Sequence, residues 1–90
     1  MTDIRIEKFD VDELALKGIT SWPVWEKGIS EFDWNYDSPE TCYIIEGRAE
    51  VTTSDGKSVE FGKGDMVVFP QGLDCKWRIT SPVKKYYNLG

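Results

Sequence analysis

The sequence predicts an all-β fold, a small jelly-roll β-barrel with one short N-terminal helix. Apolar and polar residues alternate in several short segments, as they do along half-buried strands. Glycine and proline recur between these segments, where tight turns would join one strand to the next. Because closing a sheet removes its exposed edges, this pattern favours a barrel over an open sheet.

The composition predicts one globular domain and excludes several classes of partner. A length of 90 residues leaves room for a single core, so residues 1–90 are expected to form one domain. A net charge of −5 repels phosphate backbones, so nucleic acid is not an expected partner. No segment approaches the roughly 18 apolar residues of a membrane-spanning helix, and residues 1–8 lack a signal-peptide core. We therefore expect a cytoplasmic protein without a membrane partner.

The first elements are a strand and the helix. Ile4 and Ile6 alternate with polar neighbours, which predicts a short edge strand. Residues 10–18 then predict the helix, because Asp10 suits its N-cap and Gly18 suits a left-handed exit residue.

Strands follow from residue 22 onward. Phe32, Trp34 and Tyr36 lie on one side of a predicted strand, with acidic and amide residues on the other. Residues 41–45 are apolar on both faces, which indicates a strand between two layers or at an interface, so we expect a homodimer. Gly47 is expected to end this strand.

The second half of the chain continues the pattern. Asp55-Gly56 predicts a tight hairpin turn, and residues 65–69 predict another strand. Cys75 and Trp77 then share one face of a strand, and Pro82 is expected to interrupt the chain before a last apolar strand over 83–89. With only two cysteines in a domain rich in apolar side chains, both are expected to be free thiols.

Two spacings carry a family resemblance. Glu40 is followed after six residues by Gly47, and Gly64 is followed after five residues by Pro70-Gln71-Gly72 and, two residues later, Cys75. These segments resemble the two motifs of cupins. With Trp22-Pro23-x-Trp25 and Tyr87, the chain is similar to short single-domain cupins of the ureidoglycine-aminohydrolase-like group, from Trp22 to Asn88. The resemblance implies a jelly-roll barrel with an internal pocket and no established reaction.

The resemblance also implies where a metal would bind. Metal-binding cupins use three histidines and one glutamate, and only the glutamate is matched here, by Glu40. Trp34, Tyr36 and Cys75 stand at the three histidine positions. The chain contains no histidine, so we expect no metal and no other cofactor. One alternative stays open, which is zinc held by Glu40, Cys42 and Cys75.

Three residues are candidates for catalysis: Glu40, Tyr36 and Cys75. A carboxylate that faces an aromatic interior must be paired, hydrated or protonated, and Tyr36 is a candidate donor to Glu40; a Glu40 turned outward would need no partner, and both orientations stay open. Cys75 lacks a histidine base, and Lys76 and Arg78 lie on the opposite face, so a packed thiol is the preferred interpretation.

The favoured function is a metal-free barrel that binds a small polar or cationic molecule. The aromatic residues would supply flat walls, although aromatic residues that alternate along a strand mostly serve core packing. The expected ligand-binding residues are Trp34, Tyr36, Glu40, Cys42, Cys75 and Trp77. The alternative is a small enzyme, aminohydrolase-like or isomerase-like, that acts on a polar metabolite with Glu40 as general acid or base. A third hypothesis is an interaction module that pairs protomers through residues 41–45.

Overall fold

The computed structural model describes residues 4–89 and contains the predicted antiparallel jelly-roll barrel. Its elements in chain order are β1 (Arg5–Lys8), α1 (Val11–Leu16), a 3-10 helix (Ile19–Ser21), β2 (Val24–Lys27), β3 (Ser30–Asn35), β4 (Glu40–Thr53), β5 (Ser58–Gly62), β6 (Asp65–Phe69) and β7 (Asp74–Leu89). Within the described residues, no helix has the length and apolar character needed to cross a bilayer.

Two long strands organise the barrel. β4 and β7 pair antiparallel along their whole length, from Glu40 opposite Leu89 to Thr53 opposite Cys75. The other edge of β4 pairs first with β6 and then with β5, and the other edge of β7 pairs with β3 and then with β2. The short strand β1 pairs with β6. Of the described strands, all except β1 therefore pair with β4 or β7.

Gly47 and Pro82 do not end strands, contrary to the sequence prediction. Gly47 lies inside β4 with a φ of 93°, and a Cβ on it would lie 2.1 Å from the carbonyl oxygen of Pro82. The register of β4 against β7 shifts at this place, which marks a bulge. Both residues thus bend strands that continue, and a pattern that treats glycine and proline as strand ends divides them into shorter pieces.

The bulge also changes which residues face inward. Cys42 and Ile44 are buried in the interior cluster before it, and Ala49 and Val51 after it. Tyr43 points the other way and packs against Leu14, Ile19 and Met66. The two apolar faces of residues 41–45 are therefore both covered within one chain, by the barrel interior and by the N-terminal layer. The homodimer stays a prediction.

The N-terminal layer follows the sequence prediction. Asp10 caps α1 by accepting a hydrogen bond from the backbone N–H of Asp12 at 3.0 Å, and Gly18 ends the helix in the left-handed conformation with a φ of 73°. The 3-10 helix adds one further turn, which brings Ile19 onto the outer face of the sheet.

Candidate ligand cavity

One cavity of about 320 Å³ lies at the end of the barrel where β4 begins and β7 ends. Half of the residues that line it are aromatic: Trp25, Phe32, Trp34, Tyr36, Trp77 and Tyr87. Trp34 is 51% exposed, and it lines the cavity together with the exposed residues Asn35 and Asp37. The cavity is thus a mostly apolar space with a polar rim, which is the usual composition of small-molecule sites.

A buried ion pair lies at this cavity. The Nζ atom of Lys85 donates a hydrogen bond to Oε2 of Glu40 at 2.6 Å, and the two residues are 5% and 6% exposed. The side chain of Lys85 reaches the interior because Lys85 lies on the same face of β7 as Val83 and Tyr87, two residues from each. Moving a charge out of water is costly, so charged side chains at this depth are found paired and hydrogen-bonded. Glu40 therefore faces inward and is paired.

Three aromatic rings also lie close to the Lys85 ammonium, which lines the cavity. Its Nζ lies 4.9 Å from the ring centroids of both Trp25 and Trp77, and 6.0 Å from that of Phe69. These distances are within the range of cation–π attraction, which is strongest for indole rings. The rings that a cationic ligand would use are consequently occupied by a cation of the protein itself.

Tyr36 belongs to the wall and is not the bonded partner of Glu40. Its hydroxyl oxygen accepts a hydrogen bond from Nε1 of Trp77 at 3.2 Å, and its ring stacks on Phe69 with centroids 4.7 Å apart. Burial raises the pKa of Tyr36 above its ordinary value of 10.0, and the charge of Glu40 raises it further. The phenol therefore stays protonated. The hypothesis that Tyr36 donates to Glu40 is wrong, because Lys85 takes that place.

The two cysteines are buried thiols and do not line this cavity. Cys42 is 0% exposed, and burial raises its pKa to about 12 even though the charge of Lys85 opposes the shift. Cys75 donates from Sγ to the carbonyl oxygen of Trp34 at 3.6 Å and faces a separate depression beside Asp74. Burial raises the pKa of Cys75 to about 11, with Asp74 and Asp33 adding to the shift. Protonated thiols are weak nucleophiles, so neither cysteine is prepared for catalysis.

The cavity residues do not fit a cupin metal centre. The glutamate that would ligate a metal is bound to an ammonium group, which repels a second cation. Within residues 4–89, no group of three or more histidine, cysteine, aspartate or glutamate side chains is placed to hold an ion. The alternative of zinc held by Glu40, Cys42 and Cys75 therefore lacks the required arrangement.

The structure brings together four of the six predicted ligand-binding residues: Trp34, Tyr36, Glu40 and Trp77. Lys85 was missed, although a signal for it exists. Val83, Lys85 and Tyr87 occupy alternate positions of the last strand, so a lysine shares the face of two apolar residues. Trp25 also lines the cavity and is half-buried against Lys85, because the two are opposite each other in the β2–β7 pairing.

Comparison with known proteins identifies the family. The model of the EutQ-like cupin domain matches residues 14–87, which is most of the chain. The chain belongs to the EutQ-like cupin family. The cupin resemblance of the sequence is thereby confirmed, and no curated protein matches the chain.

Solved structures of other proteins resemble the structure of this EutQ-like cupin. A DUF861-family protein from Thermotoga maritima is 52% identical with a TM-score of 0.93, and the match covers 98% of this chain and 100% of that one. A protein of unknown function of the DUF861 family from Pseudomonas syringae pv. tomato is 32% identical, with a TM-score of 0.68 over 74% of this chain and 29% of that one. The Clostridium difficile EutQ protein shares the fold alone, at 18% identity and a TM-score of 0.68, over 98% of this chain and 68% of that one.

Proposed function

We propose that this cupin is a metal-free barrel that binds a small polar molecule in its aromatic cavity. The observation that carries the proposal is the Glu40–Lys85 pair, which combines two buried charges with unfilled space. Replacing a buried ion pair by apolar residues of similar volume is often neutral or stabilising, by about 1–4 kcal/mol. A stable fold alone would thus favour a filled apolar interior here, whereas ligand recognition needs directional polar groups inside an apolar wall.

Lys85 also supports the metal-free character of the site. Its ammonium supplies the positive charge opposite Glu40, held by the carboxylate at 2.6 Å and by two indole rings at 4.9 Å. The charge of Glu40 is therefore balanced without a bound ion. Membership of the ureidoglycine-aminohydrolase-like group remains a prediction.

Thermal denaturation in the presence of small polar compounds tests the binding function. A ligand at about ten times its Kd stabilises the folded state by about 1.4 kcal/mol, which raises the Tm of a domain of this size by roughly 6–11 °C. Three proteins are compared: the wild type, Lys76→Met and the double variant Glu40→Leu/Lys85→Met. Lys76 is a matched control, because it is a half-exposed lysine of the same strand paired loosely with Glu31 at 3.9 Å.

The expected result is a compound that raises the Tm of the wild type and of Lys76→Met and leaves the Tm of the double variant unchanged. Native mass spectrometry and elemental analysis of gently purified protein accompany this screen. A metal ion bound in stoichiometric amount, and lost in Glu40→Gln, would show that the metal-free proposal is wrong. A screen in which every stabilising compound acts equally on all three proteins would remove the cavity as the binding site.

A second candidate is an enzyme that acts on a polar metabolite with Glu40 as its proton-transfer group. The observation in its favour is the direct contact of a proton acceptor, the Glu40 carboxylate, with a proton donor, the Lys85 ammonium. The two atoms lie 2.6 Å apart beside the cavity. Replacement of Glu40 by Gln would then abolish turnover of any compound found to bind. Turnover that survives Glu40→Gln would eliminate this mechanism and leave the binding function standing.

A further inference from the structure

We infer that the cavity selects an uncharged planar molecule that carries an amide or lactam edge. The inference rests on the proposed binding function and specifies the ligand's chemical class. It follows from the charges that line the cavity and from the hydrogen-bonding groups of Glu40 and Lys85 that their mutual hydrogen bond leaves available.

A cationic head group is disfavoured by Lys85. The ammonium already holds Glu40 at 2.6 Å and lies 4.9 Å from both Trp25 and Trp77. A second cation would have to displace Lys85 from the carboxylate and from the same rings while being repelled by it. Of the polar or cationic ligand that the sequence predicts, the structure therefore favours the polar, uncharged one.

An anionic head group is disfavoured for the opposite reason. Lys85 is the only basic side chain among the described residues that line the cavity, and its charge is balanced by Glu40. Asp37 adds a further acidic group to the lining, and the whole chain carries a net charge of −5. An anion would thus meet two carboxylates and one ammonium, with a field that repels it before it enters.

An amide edge matches the pair without adding charge. An ammonium group has three N–H donors, of which Glu40 uses one, and a carboxylate has about four acceptor sites. The amide oxygen of the ligand would accept from Lys85, and its N–H would donate to Glu40. Both bonds would be charge-assisted, which makes them about twice as strong as bonds between neutral groups.

The wall and the volume define the rest of the ligand. Phe32 and Trp77 both line the cavity, and their ring planes lie within 11° of parallel, so a planar ligand ring could lie along them. The volume of about 320 Å³ equals that of about ten water molecules at about 30 Å³ each. A single six-membered ring with one planar amide substituent or one ring amide is of this size.

Four monosubstituted benzenes test the inference, because they share one ring and differ in the head group: benzamide, benzoate, benzylammonium and toluene. Binding to the wild type is measured by ligand-observed NMR with Lys76→Met as the control. We expect benzamide to bind at least about tenfold more tightly than each of the others, the preference that one charge-assisted hydrogen bond provides. Lys76→Met should give the same ranking.

Two single variants sharpen the test by removing one charge each. Glu40→Gln leaves Lys85 without a counter-charge, so the preference should change from benzamide to benzoate. Lys85→Met leaves Glu40 and the two indole rings free, so the preference should change to benzylammonium. Should either variant not fold, Glu40→Leu/Lys85→Met replaces it, and there toluene should bind at least as tightly as benzamide.

The outcomes separate this inference from the proposed function. If benzoate or benzylammonium binds most tightly to the wild type, the cavity binds ligands and the inference is wrong. The same holds if toluene equals benzamide, or if only compounds without an amide edge bind. If no compound of this series or of the wider screen binds in the cavity, the inference and the proposed function are both wrong.

Discussion

The barrel interior has two regions that differ in how their residues are used. Around Val51, Phe61 and Ile79 the interior consists of apolar side chains that are at most 1% exposed. At the other region, Glu40 and Lys85 place charges beside a cavity of about 320 Å³. Close packing of apolar groups is what folding stability favours, so the first region needs no further explanation. The second region differs from a close-packed apolar core because it contains charged side chains and unfilled volume. This is why we assign the binding site there.

The largest effect is expected from removing one member of the buried pair. Lys85→Met leaves the Glu40 carboxylate buried without its partner, which should lower the free energy of unfolding by about 3–5 kcal/mol. Lys76→Met makes the same chemical change on the exposed face of β7 and should change it by less than about 0.5 kcal/mol. Urea denaturation followed by circular dichroism measures both values.

The double variant completes this experiment. Glu40→Leu/Lys85→Met removes both charges, so most of the stability lost in Lys85→Met should return. If Lys85→Met is no more destabilising than Lys76→Met, the two charges do not interact as described. If the double variant is as unstable as the single one, the loss comes from packing around the Lys85 side chain and the charge of Glu40 plays no part.

The packed region should respond through lost volume. Ile79 is 1% exposed, and Ile79→Ala should lower the free energy of unfolding by roughly 2–5 kcal/mol because it leaves a hole among apolar neighbours. Ile29 is 71% exposed and supplies the matched control, since Ile29→Ala should change stability by less than about 0.5 kcal/mol. Equal effects of the two substitutions would mean that the packed region is not close-packed.

Alkaline pH should weaken the folded state through the thiol of Cys42. Its pKa is raised from 9.0 to about 12, so between these values the unfolded chain has lost a proton that the folded chain keeps. The stability contributed by the protonated thiol is complete below about pH 9 and is lost as pH rises towards about 12. The slope from this group is at most about 1.4 kcal/mol per pH unit.

Cys42→Ala identifies this contribution. The fall in the free energy of unfolding with pH should become shallower, and a smaller slope should persist because the pKa values of Tyr36 and Cys75 are also raised. Cys75→Ala is the control. The pKa of that thiol is raised only to about 11, so its contribution to the slope is confined to a narrower pH range. An unchanged slope in Cys42→Ala would show that Cys42 is not the group that titrates.

The sequence predicts the fold better than it predicts the site, for physical reasons. Period-two alternation and turn residues are local signals, so the strand-forming segments and the N-terminal helix are predicted correctly, although two strand ends are not. Gly47 and Pro82 mislead because a bulge between two paired strands is a long-range feature. Lys85 is missed because a lysine is rarely buried, and its pairing with Glu40 joins positions 45 residues apart in the chain.

The smallest effect on stability is expected at the rim of the cavity. Trp34 is 51% exposed, so Trp34→Ala should change the free energy of unfolding by less than about 0.5 kcal/mol. It should nevertheless weaken the binding of benzamide by roughly two- to tenfold, because one aromatic contact is worth about 0.5–1.5 kcal/mol. Tm without ligand and the Kd from NMR titration measure the two effects separately.

Trp22→Ala is the reverse control for this prediction. Trp22 packs in the outer cluster with Leu14 and Tyr43, and it does not line the cavity. Its loss should lower the free energy of unfolding by more than about 1 kcal/mol and leave the Kd for benzamide unchanged. Opposite responses of the two tryptophans would separate a residue that binds ligand from one that supports the fold. If Trp34→Ala instead reduces stability as Trp22→Ala does and keeps the affinity, the rim is part of the core and the cavity has a different entrance.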